Sequence, residues 1–210
     1  MKKQIPATEQ INPRSRGLDR KTPLGLARVF NAEDFTAARA VKTAHKEIAC
    51  VMIQAARTYA SGHKIIFIGA GTSGRLGILE AVECVPTFGT KPSQIIGLIA
   101  GGPKAVFRSQ EGAEDNAKQG AKDIAQYAQK EDYVIGLAAS GNTPYVHGAL
   151  EKALKIGART ALISCNPQAT TTFAQTHICL PTGPEALTGS TRMKAGTATK
   201  MALNAITTGA

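Results

Sequence analysis

Lys64–Gly74 reads KIIFIGAGTSG, a short apolar run that turns directly into a glycine-rich loop. The run is too short for a buried helix and is closed by glycine, so it predicts a buried strand. The residues beyond the loop predict a helix. The same alternation continues along the chain. Gln94–Ala100 (QIIGLIA), Tyr133–Ala139 (YVIGLAA), Thr160–Ser164 and Thr176–Leu180 predict four further strands. Helices are predicted over Asp115–Gln129 and over Pro144–Ile156, the latter ended by Gly157. Strand, loop and helix in repeated order imply an α/β fold, with a parallel sheet flanked by helices on both faces. Ligands in such sheets bind at the carboxyl ends of the strands.

Before this region the pattern is helical. Residues 1–21 hold Pro6, Pro13 and Gly17 without periodicity and read as an arm or lid. Thr22 and Pro23 predict a helix start, with a short helix to about Phe30. Asn31 is expected to cap a longer helix with Glu33 and Asp34 in its first turn. Its apolar face would be Phe35, Ala38, Val41, Ala44, Ile48, Val51, Met52 and Ala55, with a stop at Ser61 and Gly62. The chain therefore divides into an N-terminal arm with helices, residues 1–54, and a ligand-binding α/β domain, residues 55–210. Thr188–Ala210 starts a helix with no stop signal.

Composition narrows the function classes. Of 210 residues, 43% are hydrophobic and 19% charged, which fits a folded chain with a sizeable core. No apolar run is long enough to span a membrane. The N-terminus, MKKQIPATEQ, has lysines but no apolar stretch behind them, so no signal peptide is read and a cytoplasmic location is expected. Cys50, Cys84, Cys165 and Cys179 form no metal-ligand spacing and are read as reduced, mostly core thiols. The net charge of +10 is concentrated N-terminally, with 12 Lys/Arg against 5 acids over residues 1–64. It is spread thinly, without a run of five like charges or interleaved aromatics. No nucleic-acid partner is expected; a basic surface that attracts anionic metabolites is.

Gly69–Gly74 fits G-x-G-x-x-G after a strand and before a helix, the dinucleotide fingerprint. That fingerprint needs an acidic residue at the tip of the next strand, and here that strand ends in Ala100, Gly101 and Gly102. Gly71, Thr72, Ser73 and Gly74 instead offer hydroxyls and free backbone N–H groups, which suit a phosphate monoester. A second loop of the same chemistry, Ser140, Gly141, Asn142 and Thr143, follows the third strand. Its hydroxyls either cap the next helix or converge with the first loop on one phosphate. No nucleotide cofactor and no metal are expected.

Two carboxylates stand out. Glu83 lies among Cys84, Val85, Pro86 and Phe88, where burial would raise its pKa and let it act as an acid near neutral pH. Glu114 lies in the turn before a helix, where composition alone favours helix-end electrostatics; Asp115 and Asn116 are the better caps, which leaves Glu114 unexplained.

Several longer stretches narrow the reading further: IFIGAGTSGRLGILEAVECVPTFG, LIAGG, EGAEDN, AASGNTPYV, SCNP, GPEALTGSTRMKAGTATKMALN and the early EQINPRS. From about Glu9 to Ala210 the chain resembles the N-acetylmuramic acid 6-phosphate etherases, which carry the sugar isomerase (SIS) fold. Glucokinase regulatory proteins are related. The resemblance implies a SIS-type, flavodoxin-like three-layer sandwich with an N-terminal helical arm. It implies a lyase that cleaves the lactyl ether of N-acetylmuramic acid 6-phosphate in cell-wall recycling, acting as a homodimer. It assigns Glu83 as proton donor and Glu114 as the second catalytic carboxylate. It also implies a family length that continues beyond residue 210. Val82, Val85 and Asn142 depart from the family pattern, Asn142 standing where an arginine is usual. A phosphosugar isomerase and a non-enzymatic phosphosugar-binding regulator are the alternatives on the same fold.

Overall fold

The computed structural model describes residues 6–210; the lysines at positions 2 and 3 lie outside the described residues. Five parallel strands form one sheet: β1 (Ile65–Gly69), β2 (Ile95–Ile99), β3 (Tyr133–Leu137), β4 (Arg159–Ser164) and β5 (Thr176–Cys179). Their spatial order is β2-β1-β3-β4-β5. The chain thus winds outward from β1 to β2, then returns to place β3 on the other side of β1. Ile65 pairs with Ile95 on one side and with Tyr133 on the other. The strand order reverses between β1 and β3, and a crevice opens there beyond the strand ends.

Both faces of the sheet are covered, which is why β1 and β3 read as unbroken apolar runs. One face packs Phe67, Tyr133, Ile135, Leu137 and Ile163 against α1 (Pro23–Thr43), α2 (His45–Ala60), α3 (Gly71–Phe88) and α7 (Lys194–Gly209). The other packs Ile66, Ile68, Val134 and Leu162 against α5 (Ala117–Tyr127) and α6 (Pro144–Ile156). The three-layer sandwich is therefore present. A short helix, α4 (Lys104–Phe107), follows β2. It leaves no periodic signal because it is a single turn.

The N-terminal helices differ from the expectation. Thr22 caps α1 through Gly25 N at 3.2 Å with Pro23 at its first position, as read. The helix then runs through Asn31 and breaks at Ala44 instead. Phe35 is 61% exposed and Ala38 is exposed; the buried face is Ala37, Ala40, Val41, Ala44, Ile48, Val51 and Ala55. A cap residue in mid-helix was overridden by packing of α1 along α7. The boundary drawn at residue 54 falls inside α2, and residues on both sides of it share one hydrophobic cluster. Cys84 and Cys165 are core residues, whereas Cys50 is exposed. Among the described residues, no helix is long and apolar enough to cross a membrane.

Candidate active site

The crevice at the reversal of strand order holds a cavity of about 270 Å³. Its floor is made by the two loops that leave β1 and β3. On the first, Gly71, Thr72 and Ser73 form the opening turn of α3 and line the cavity. The first helical hydrogen bond is Gly74 N to Ala70 O at 3.2 Å. The N–H groups of residues 71–73 therefore have no intrahelical acceptor, and they stand at the positive end of an 18-residue helix. Gly74 lines no part of the cavity. A Cβ there would sit 2.6 Å from Ile99 Cγ1 and 2.8 Å from Gly69 O, so its role is close packing of helix against strand.

The second loop contributes Ser140 and Thr143 to the same cavity. Thr143 precedes α6 without a side-chain cap bond, and Ser140 Oγ accepts from Asn142 N at 3.2 Å. Capping thus does not use up the Thr143 hydroxyl. The loop is held from behind: Asn166 Nδ2 donates to Ser140 O at 2.9 Å, and the His147 ring lies 2.9 Å from Gly141 O. Gly141 has φ +72° and supports the turn without reaching the cavity. Asn142 points elsewhere, its Oδ1 3.3 Å from Thr170 Oγ1. A different cation is present: Arg75, one turn into α3, lines the cavity. Its Nε and Nη2 donate to Val106 O and Ala105 O at 2.9 and 2.7 Å, which ties the segment after β2 to the first loop.

That segment carries Glu114 in a short 3-10 turn, Ala113–Asp115. Asn116 caps α5 through Gln119 N at 2.9 Å, as expected. Glu114 is half-buried, lines the cavity and has no hydrogen-bond or ion-pair partner among the described residues. A carboxylate so placed is available as a base.

Glu83 is placed differently. It is exposed and lines no part of this cavity. Ten residues separate it from Ser73, about 15 Å along the helix axis. The buried carboxylate of α3 is Glu80, 5% exposed, paired with Lys200 Nζ at 2.8 Å and accepting from Thr207 Oγ1. The burial expected for Glu83 thus belongs to its neighbour about one helical turn earlier.

Two residues of the arm's side of the cavity were not legible as site residues: Glu9, in the turn Ala7–Glu9, and Thr191, before α7. The arm is fixed by Asn12, whose Nδ2 donates to Glu33 Oε2 at 2.8 Å and to Pro184 O at 3.0 Å. Glu33 in turn pairs with the buried Lys194 and with Arg14. Burial alone would push the Glu33 carboxyl up; Lys194, Asn12 and Arg14 outweigh it and hold it below the usual carboxylate range. Glu185, fully buried, accepts from the N–H groups of Ala195 and Lys194 at the start of α7, and burial raises its pKa. Among the described residues, no group of three or more His, Cys, Asp and Glu is placed to hold a metal ion.

Residues 47–154 match the family described as the glucokinase regulatory protein N-terminal SIS domain. Over 204 residues the chain is 50% identical to the N-acetylmuramic acid 6-phosphate etherase of Rippkaea orientalis, a match covering 96% of this chain and 67% of that one. The etherase of Lactobacillus johnsonii is 52% identical over 204 residues, covering 96% and 68%. The chain belongs to the N-acetylmuramic acid 6-phosphate etherase family. Solved structures with this chain's fold include a ligand complex of an E. coli CFT073 protein (TM-score 0.63, 15% identity, 90% of each chain). A phosphoheptose isomerase from Francisella tularensis also shares it (TM-score 0.63, 13% identity, 89% of this chain and 98% of that one). At such low identity these neighbours bear on the fold, and they agree with the SIS-type sandwich expected for an etherase.

Proposed function

We infer that this chain is a lyase that cleaves the D-lactyl ether of N-acetylmuramic acid 6-phosphate, releasing N-acetylglucosamine 6-phosphate and D-lactate. The observation that carries this reading is the unpaired, half-buried Glu114 facing both hydroxyl-rich loops across one cavity. The 6-phosphate sits at the start of α3, on the N–H groups of residues 71–73 and the hydroxyls of Ser73, Ser140 and Thr143. The sugar then extends toward Glu114.

The chemistry follows from the substrate. In the open-chain aldehyde, the C2–H is α to the carbonyl and Glu114 removes it as a base. The electron pair left at C2 expels the lactyl oxygen from C3, forming a C2–C3 double bond. That oxygen leaves badly as an alkoxide and needs a proton, which Glu83 supplies. Water then adds at C3 and a proton returns to C2. General acid–base help is worth roughly 10²–10⁴-fold per group.

Glu83 lies outside its own chain's cavity. We therefore propose a homodimer in which Glu83 of the partner subunit completes each site. Glu83 lies on the exposed flank of α3 beside Leu79 and Val82, which are 43% and 59% exposed. An acid flanked by exposed apolar side chains fits a surface that a second copy covers. A coupled lactate assay on N-acetylmuramic acid 6-phosphate tests the reading. Release of D-lactate supports it; phosphosugar binding without lactate supports a regulator, and aldose–ketose interconversion an isomerase.

A further inference from the structure

We propose that Glu9 is a substrate-contacting residue of this site. Its carboxylate accepts hydrogen bonds from hydroxyl or acetamido N–H donors on the sugar ring, at the end away from the phosphate. The proposal rests on the phosphosugar reading above and adds a residue that neither loop supplies.

Glu9 lines the cavity that holds Ser73, Ser140 and Glu114. The turn that carries it is anchored on both sides. Thr8 is fully buried, and Asn12 is pinned to Glu33 and to the carbonyl of Pro184. These contacts hold the arm in place without using Glu9. The Glu9 carboxylate itself has only a long contact, 3.4 Å from the Thr8 hydroxyl, and no cation pairs with it among the described residues. Across from it stands Gly189, where a Cβ would lie 2.8 Å from Glu9 Oε2. That contact is with the movable end of the Glu9 side chain, and Gly189, at φ +74°, lets the segment before α7 turn beside the carboxylate.

The chemistry of the partner follows from the charge. An ionised carboxylate only accepts hydrogen bonds, and it repels a phosphate dianion. It cannot belong to the phosphate subsite, which the start of α3 and the Ser73 and Ser140 hydroxyls already provide. What remains on an amino-sugar phosphate is a set of hydroxyl and amide donors. Bonds of this kind to a charged acceptor are shorter and stronger than neutral ones.

The test compares two ligands by calorimetry, N-acetylglucosamine 6-phosphate and inorganic phosphate. Glu9→Ala is expected to weaken the sugar phosphate about tenfold, the loss of one charged hydrogen bond, while phosphate affinity stays within about twofold. Ser73→Ala is expected to weaken both ligands. Asn12→Ala, which frees the arm without touching the cavity, is expected to reproduce the selective loss. The proposal is overturned if Glu9→Ala leaves sugar-phosphate affinity within about twofold of the parent, or weakens both ligands equally. If the unsubstituted protein binds inorganic phosphate but not the sugar phosphate, the phosphosugar reading itself falls, and the role of Glu9 with it.

Discussion

Glu80 and Glu83 stand three residues apart on α3 in opposite surroundings. Glu80 is buried with Lys200 Nζ at 2.8 Å, while Glu83 is exposed and unpaired among the described residues. About one helical turn separates a carboxylate that ties α3 to α7 from one that is presented outward. Glu80→Ala removes the buried carboxylate that pairs with Lys200 and accepts from Thr207, leaving them only Asn204 Oδ1 and Leu203 O, and should destabilise the fold by about 1–3 kcal/mol in urea titrations. Glu83→Gln should change stability by less than about 0.5 kcal/mol. Equal losses would mean that Glu83 is structural.

The phosphate subsite makes a second prediction. Ser73 stands where the N–H groups at the start of α3 converge with Ser140. Ser73→Ala should weaken sugar-phosphate binding by about 1–3 kcal/mol in calorimetry, because phosphate oxygens lose a charged hydrogen bond. Unchanged affinity would move the phosphate elsewhere.

Much of this was readable before the structure. β1 and β3 were visible because parallel strands covered on both faces are apolar throughout, while β2, β4 and β5, less evenly buried or more polar, were visible as short runs bounded by glycine or polar turns. The bounds of α6 matched the expectation because Pro144 and Gly157 punctuate both ends. The rest depended on tertiary contacts. Asn31 has the chemistry of a cap, yet α1 continues through it because Ala37, Ala40 and Val41 are buried against the core. Choosing Glu83 over Glu80 as the buried carboxylate required the phase of α3 against α7. Glu9 enters the site through an arm distant in sequence, and Arg75 enters from α3 just after the first loop, held by the carbonyls of the segment after β2. EQINPRS and GRLG were the available signals, but neither has a spacing that declares a ligand.

The buried Glu33 predicts an acid-sensitive fold. Its carboxyl is held below its ordinary value of 4.5 once Lys194, Asn12 and Arg14 outweigh burial. A depressed carboxyl contributes stability above the unfolded pKa and loses it as pH falls through the folded one. Unfolding free energy should therefore decline below about pH 4.5, and Glu33→Gln should flatten that decline. The same variant should be less stable at neutral pH, since Lys194 is left buried without its counter-charge. An unchanged acid limb in denaturant titrations across pH would contradict this.

Supply of Glu83 from the partner subunit makes a prediction no single-chain site can match. Glu83→Gln and Glu114→Gln should each be inactive alone. Mixed and allowed to exchange subunits, they should recover about a quarter of parental activity, because half of the dimers are hybrids with one intact site of two. A mixture as inactive as its components would place both glutamates in one chain's site.

The most direct test of the mechanism follows solvent deuterium at C2 of N-acetylmuramic acid 6-phosphate separately from lactate release. Glu114→Gln should abolish both, since the base that takes the C2 proton is gone. Glu83→Gln should block release yet leave some exchange, because removing the proton does not require the leaving oxygen to be protonated. Exchange retained in Glu114→Gln and lost in Glu83→Gln would reverse the two roles, and full activity in both variants would contradict the mechanism.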